Sequence, residues 1–160
     1  MSSAHTSDAE ADLSLLLADQ LCFALYAASR AVTNRYRPLL DELGLTYPQY
    51  LVMLVLWERG TIPIKDVGAA LYLDYGTLTP LIKRLETAGL VRRDRHPLDE
   101  RTVLVSLTER GLQLRARARA MPTAIGEAMG LSSQERHDAI ALLRRLTLNV
   151  SATAGDDPTA

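Results

Sequence analysis

From Ile62 to Leu107 the hydrophobic pattern changes from a helical to a strand period, and that change restricts the folds open to the chain. "IPIKDVGAAL" reads as a short helix with Val67 and Leu71 turned inward. "YLD" is a three-residue link, and "YGTLTPLIKRLETAGL" reads as a second helix ending at Gly89. Two short helices on a tight link form a helix-turn-helix pattern. Pro80 conflicts with a regular helix interior, so a ragged start between Asp74 and Thr79 is expected. In "LVRRDRHPLDERTVLVSLT", Val91 opens an extended run, Pro97 and Asp99 mark a turn, and the β-branched "TVLVSL" reads as a strand. A hairpin so charged buries little apolar area and would be weak alone.

The flanks are helical. Leu13, Leu17, Leu21, Ala24, Ala28 and Val32 recur at steps of three or four, predicting a long helix from Leu13 to about Arg37. Pro38 lies near its end, and "PLLDELG" reads as a short helical turn closed by Gly44. "TYPQYLVMLVLWERG" starts at Thr46 or Tyr47, holds Pro48 in its first turn and ends at Gly60. Its apolar residues surround the axis, so it is expected to be buried. Thr108 caps a helix over "ERGLQLRARARAMPTAIGEAM" that Pro122 should kink. Ser132 and Glu135 form a capping box for a last helix through about Val150, with Ala139, Leu142, Leu143 and Leu146 apolar. The predicted fold class is mainly α with a small β-hairpin (α+β). Residues 1–12 read as a disordered tail, 13–150 as a single domain and 151–160 as a polar tail.

Hydrophobic residues make up 48% of the 160 and charged residues 23%, the balance of a folded soluble domain. No apolar run approaches the length of a membrane span, and "MSSAHTSDAEAD" lacks the form of a signal peptide, so a cytoplasmic protein is expected. A net charge of −1 by itself points to no particular partner, but its distribution is uneven. Residues 83–119 hold ten bases against five acids. Such a segment is either a nucleic-acid footprint or a solvated helix face. His5, His96 and His137 are scattered, with no metal-site grouping, and no phosphate loop or catalytic triad stands out, so neither metal nor cofactor is expected.

Cys22 is the one cysteine, which excludes a disulfide within the chain. It reads either as a reactive thiol or as an inert small apolar residue. Helical spacing puts Ala18, Cys22, Tyr26 and Ser29 on one face, apart from the leucine stripe. Tyr36 is fourteen residues further on, roughly 20 Å along a continuous helix. One chain cannot bring its own Tyr36 to its own Cys22, whereas an antiparallel partner helix could. Alone, Tyr26, Tyr36 and Tyr47 each read as amphipathic packing at helix edges.

The order of long helix, buried helix, helix-turn-helix, charged hairpin and two long helices resembles the MarR-type winged-helix regulators over residues 13–150. Within that group, "LCFALYAASR", "LTYPQYLVMLVLWE", "GTLTPLIKRLE" and "DERTV" resemble the OhrR-type organic-hydroperoxide sensors of the one-cysteine branch. The resemblance implies a homodimer with interlocking terminal helices, at about 13–37 and 109–150, around a winged helix at about 46–108. Each subunit would offer one recognition helix and one wing to a pseudo-palindromic operator in double-stranded DNA. It further implies repression of a peroxidase gene until an organic hydroperoxide oxidises Cys22, which two tyrosines of the other subunit, at the positions of Tyr36 and Tyr47, would face. Asp99 and Arg101 match the family's wing-tip pair, in which the Asp holds the tip and the Arg enters the minor groove. Tyr75 departs from the pattern, since "LDYGTLTP" stands where the family has "LDSGTLTP".

The residue chemistry agrees with this expectation. A thiolate attacks a peroxide oxygen to give a sulfenic acid, phenols favour the thiolate by hydrogen bonding, and a small thiol can then condense with the product. Thr77, Thr79, Lys83 and Arg84 on the second short helix are candidates for bases and phosphates. The rival roles are a cap for Thr77 and a solvated face for Lys83. Arg92, Arg93 and Arg95 are candidate phosphate contacts, with pairing to Asp94 as the rival role for one of them. Two other functions fit the chain: a regulator released by a small aromatic ligand, with Cys22 idle, and a thiol peroxidase. The second lacks a resolving cysteine and leaves the helix-turn-helix without a role.

Overall fold

The computed structural model describes residues 15–153. Leu13, the expected tail at residues 1–12 and the last residues of the 151–160 tail lie outside the described residues. A 3₁₀ turn at Leu17–Asp19 precedes α1 (Leu21–Asp41), α2 (Tyr47–Arg59), β1 (Ile62–Pro63), α3 (Ile64–Leu71) and α4 (Tyr75–Thr87). Then follow β2 (Val91–His96), β3 (Asp99–Leu107), α5 (Glu109–Ala118), α6 (Met121–Met129) and α7 (Ser133–Thr153).

The helix starts follow their caps. Thr46 and Gln49 make a reciprocal capping box at α2, Thr108 accepts from the Gly111 amide at α5, and Ser132 and Glu135 bond reciprocally before α7. Five predicted boundaries differ. The first helix begins at Leu21, with Ala18 in the separate 3₁₀ turn, so Ala18 leaves the face of Cys22 and Tyr26. It also runs unbroken through Pro38 to Asp41, because near the end of a helix a proline costs only one ladder bond. α4 begins regularly at Tyr75, with the Asp74 side chain accepting from the Thr77 amide. Pro80 lies inside it on the exposed side, where the carbonyl of Gly76 that it deprives of a donor meets solvent. The helix around Pro122 is broken rather than kinked, with Pro122 in the first turn of α6. The last helix extends to Thr153, three residues into the expected polar tail.

The hairpin belongs to a three-stranded antiparallel sheet of order β1-β3-β2. Ile62 pairs with Val105, and Val91 with Leu107, while the Pro97–Leu98 turn joins His96 to Asp99. The core lies beneath this sheet. Val52, Met53 and Leu56 of α2, Val67 of α3, Ile82 and Leu85 of α4, and Val105 of β3 are all fully buried. Val67 faces inward as expected, and Leu71 is half-buried.

A tight junction anchors the hairpin to α5 and α2. Thr108 donates its hydroxyl to the Gly89 carbonyl at 2.6 Å and its amide to the Leu90 carbonyl at 3.1 Å. The Gly111 carbonyl accepts from Trp57 Nε1 at 2.9 Å. α1 and α7, each 21 residues long, lie differently: α1 buries only Leu40, and none of the described residues of α7 is buried. Leu21, Ile140, Leu142, Leu148 and Val150 are exposed, so the apolar stripes seen in sequence face out of the single chain.

Candidate redox and nucleic-acid sites

Cys22 stands in the first turn of α1 and is exposed. One turn on, Tyr26 is exposed, and its phenol oxygen accepts from Arg30 Nη1 at 2.8 Å. Because α1 is continuous, Tyr36 lies about 21 Å along the same helix from Cys22. The structure therefore divides the predicted redox residues into two groups within one chain.

The second group is compact. Tyr36 and Tyr47 have ring centroids 4.9 Å apart, and Tyr50 lies 5.7 Å from Tyr36. Trp57 meets Tyr50 edge-on at 6.3 Å, continuing the aromatic row toward the Gly111 junction. Burial, with the neighbouring Tyr50 and Tyr47 phenols adding to it, raises the Tyr36 pKa to about 12. Burial also raises Tyr47, and burial followed by Tyr47 raises Tyr50. These phenols keep their protons at neutral pH and so remain hydrogen-bond donors. Tyr50 escaped the sequence reading. Its place three residues after Tyr47 on α2 was the available signal.

On α4, Leu78, Leu81, Ile82 and Leu85 face the core, leaving Tyr75, Thr77, Lys83 and Arg84 exposed and Thr79 half-buried. Both threonine hydroxyls are engaged inside the helix. Thr77 Oγ1 donates to Asp74 Oδ2 at 2.9 Å, and Thr79 Oγ1 to the Tyr75 carbonyl at 2.8 Å. The Thr77 amide, and then its hydroxyl, hold the Asp74 carboxyl below the ordinary carboxylate range. Arg93 is spent on structure: its Nη2 lies 2.6 Å from Glu86 Oε2, tying β2 to α4 and keeping Glu86 ionised to lower pH. Arg92 pairs with Asp94 at 2.6 Å on an exposed surface. Arg95 donates to the Glu100 carbonyl across the hairpin at 3.3 Å.

The hairpin tip is pinned. Asp99 accepts from the Thr102 hydroxyl at 2.7 Å and the Arg101 amide at 3.1 Å, and both contacts lower its pKa. The Leu98 amide donates to His96 Nδ1 at 3.1 Å. Arg101 remains exposed, with no ion pair among the described residues.

A groove of about 800 Å³ runs between α1, α6 and α7, floored by Ala28, Val32, Ile125, Met129 and Leu143. No helix of the described residues is long and apolar enough to cross a membrane.

Residues 34–117 match the family described as transcriptional regulator SarA/Rot. An organic hydroperoxide resistance transcriptional regulator of Bacillus subtilis is 53% identical over 122 residues, covering 76% of this chain and 81% of that protein. Reduced AbfR bound to DNA, a protein of Staphylococcus epidermidis, aligns with a TM-score of 0.73 at 34% identity, over 86% of this chain and 94% of that one. PcaV of Streptomyces coelicolor, solved with its natural ligand, aligns with a TM-score of 0.76 at 25% identity, over 84% of this chain and 96% of that one. These relatives are regulators and not enzymes, which removes the thiol-peroxidase reading. The winged helix, the relatives across most of the chain and the lone cysteine agree: the chain belongs to the MarR-like winged-helix transcriptional regulators, in their organic-hydroperoxide branch.

Proposed function

We propose that the chain is a cytoplasmic homodimeric repressor that holds a pseudo-palindromic operator until an organic hydroperoxide oxidises Cys22. The observation that carries this reading is the unbroken α1, with a thiol in its first turn and a cluster of protonated phenols about 21 Å away. Such a pair is completed only by a second chain, whose antiparallel α1 brings its Tyr36 and Tyr47 to Cys22. The apolar faces of α1 and α7, open in one chain, supply the surface for that dimer. In this division residues 46–108 bind DNA and the helices on either side dimerise.

The Cys22 thiolate attacks the terminal peroxide oxygen, the S–O bond forms and the O–O bond breaks. Sulfur loses two electrons, and the organic group leaves as an alkoxide that takes a proton to become an alcohol. Tyr36 and Tyr47 donate hydrogen bonds to the thiolate, Tyr26 flanks it, and the apolar helices admit an organic peroxide. A small thiol then condenses with the sulfenic acid, releasing water and leaving a mixed disulfide too large for a packed interface. The subunits turn as rigid bodies and the two wings lose half-site register.

On the DNA side, α4 enters the major groove with Thr77, Thr79, Lys83 and Arg84, while Asp99 holds the wing tip and Arg101 enters the minor groove. Arg92 and Arg95 face the phosphates, and Arg93 acts through the alignment of β2 on α4. The test is operator binding before and after a lipid-like hydroperoxide. Cys22→Ser should bind as the unmodified protein does and stay bound after oxidant. Release of that variant would place the switch elsewhere.

A further inference from the structure

The helix-turn-helix exposes two phenols that neither the fold nor the redox chemistry uses. Tyr72 ends α3 and Tyr75 begins α4; they are 65% and 63% exposed. Neither hydroxyl has a hydrogen-bond partner, and neither ring a ring partner, among the described residues. Tyr72 is also the one non-glycine residue of the described chain with positive φ, at 54°. Elsewhere the chain places glycine at positive φ, at Gly44, Gly60, Gly89 and Gly130. A bulky side chain kept where glycine or asparagine would sit with less strain points to a use for that side chain.

The neighbouring groups show what that use is. The end of α4 that would lead into the groove offers a phosphate little else. Thr77 and Thr79 have committed their hydroxyl protons within the helix, and the Asp74 carboxylate occupies the Thr77 amide. The two phenols are the neutral side-chain donors left at this edge.

We propose that Tyr72 and Tyr75 are DNA-binding residues, whose hydroxyls donate to phosphate oxygens flanking each half-site. This rests on the reading of α4 as the recognition helix. The contact is uncharged and independent of sequence, so it positions α4 without selecting bases.

The test uses the full-length reduced protein and two duplexes of about 30 base pairs, long enough for two half-sites. One is enriched from a random pool by the unmodified protein, and the other is of arbitrary sequence. Tyr72→Phe and Tyr75→Phe should each weaken binding of the dimer about ten- to hundredfold on both duplexes, the worth of two hydrogen bonds, one at each half-site. The dependence on salt concentration should keep its slope, because no cation is lost. Tyr72→Asn should lose the same affinity with an equal or higher melting temperature. Phe variants that bind within about twofold of the unmodified protein, while Arg101→Ala and Lys83→Ala weaken binding, would overturn the proposal alone. If Arg101→Ala and Lys83→Ala also changed nothing, the assignment of α4 and the wing to DNA would fall. Loss on the enriched duplex only would overturn the phosphate contact in favour of a base edge. A lower melting temperature for Tyr72→Asn would make Tyr72 a packing residue.

Discussion

A phenol serves as a hydrogen-bond donor only while it keeps its proton, and Tyr36 is built to keep it. Its pKa, raised from 10.0 to about 12 by burial and by the Tyr50 and Tyr47 phenols, means that the folded chain holds the proton more tightly than the unfolded chain does. The resulting stability is complete below the unfolded value of 10.0 and is lost as pH climbs toward about 12. Thermal unfolding followed over that range should show the loss, and Tyr36→Phe should flatten it in part, since Tyr47 and Tyr50 shift in the same direction. Asp99 has the opposite sign. Its lowered pKa confers stability above the ordinary carboxylate value that disappears in acid. Asp99→Ala should therefore free the hairpin tip and weaken DNA binding, and should lower the melting temperature slightly at neutral pH but not in acid, results that titration and calorimetry would separate.

At the level of elements, the junction between hairpin, α5 and α2 is the most constrained. A Cβ on Gly111 would lie 2.1 Å from the Leu90 carbonyl oxygen, a backbone atom with nowhere to move. Gly111→Ala should cost at least about 3 kcal/mol, measured as a shift in urea midpoint. Trp57→Phe removes the side-chain donor that reaches the Gly111 carbonyl from α2 and should cost about 1 kcal/mol. What the sequence revealed of the elements depended on the range of the cause. Caps at Thr46, Thr108 and Ser132 act over three residues and were legible. β1 was not, because two residues have no period and Ile62–Pro63 becomes a strand only by pairing with Val105 and Leu104. Pro80 and Pro38 misled for a related reason: the cost of a helical proline depends on whether the freed carbonyl meets solvent, which the local sequence does not encode. The candidate redox residues Cys22, Tyr26, Tyr36 and Tyr47 were singled out by type and spacing. Tyr50 was missed because its membership of the cluster comes from the packing of α2 on α1, and the ion-pair role of Arg93, read in sequence as a phosphate contact, because its partner Glu86 is on another element.

For the whole molecule, the uncovered faces of α1 and α7 predict the assembly state. Sedimentation should give a dimer, and Leu142→Asp with Leu148→Asp should shift it to monomer while leaving the winged helix, whose core those residues do not touch, folded by circular dichroism. The rigid separation of thiol and phenols along α1 has a genetic consequence. A cell carrying only Cys22→Ser should be deaf to peroxide, and one carrying only the double variant Tyr36→Phe, Tyr47→Phe should respond poorly. When both are expressed together, mixed dimers form in which one site combines an intact Cys22 with intact tyrosines from the other chain, while the second site carries both defects. Two impaired alleles should thus complement each other and restore induction to a fraction of the population, a result that no sensor contained within one chain could give.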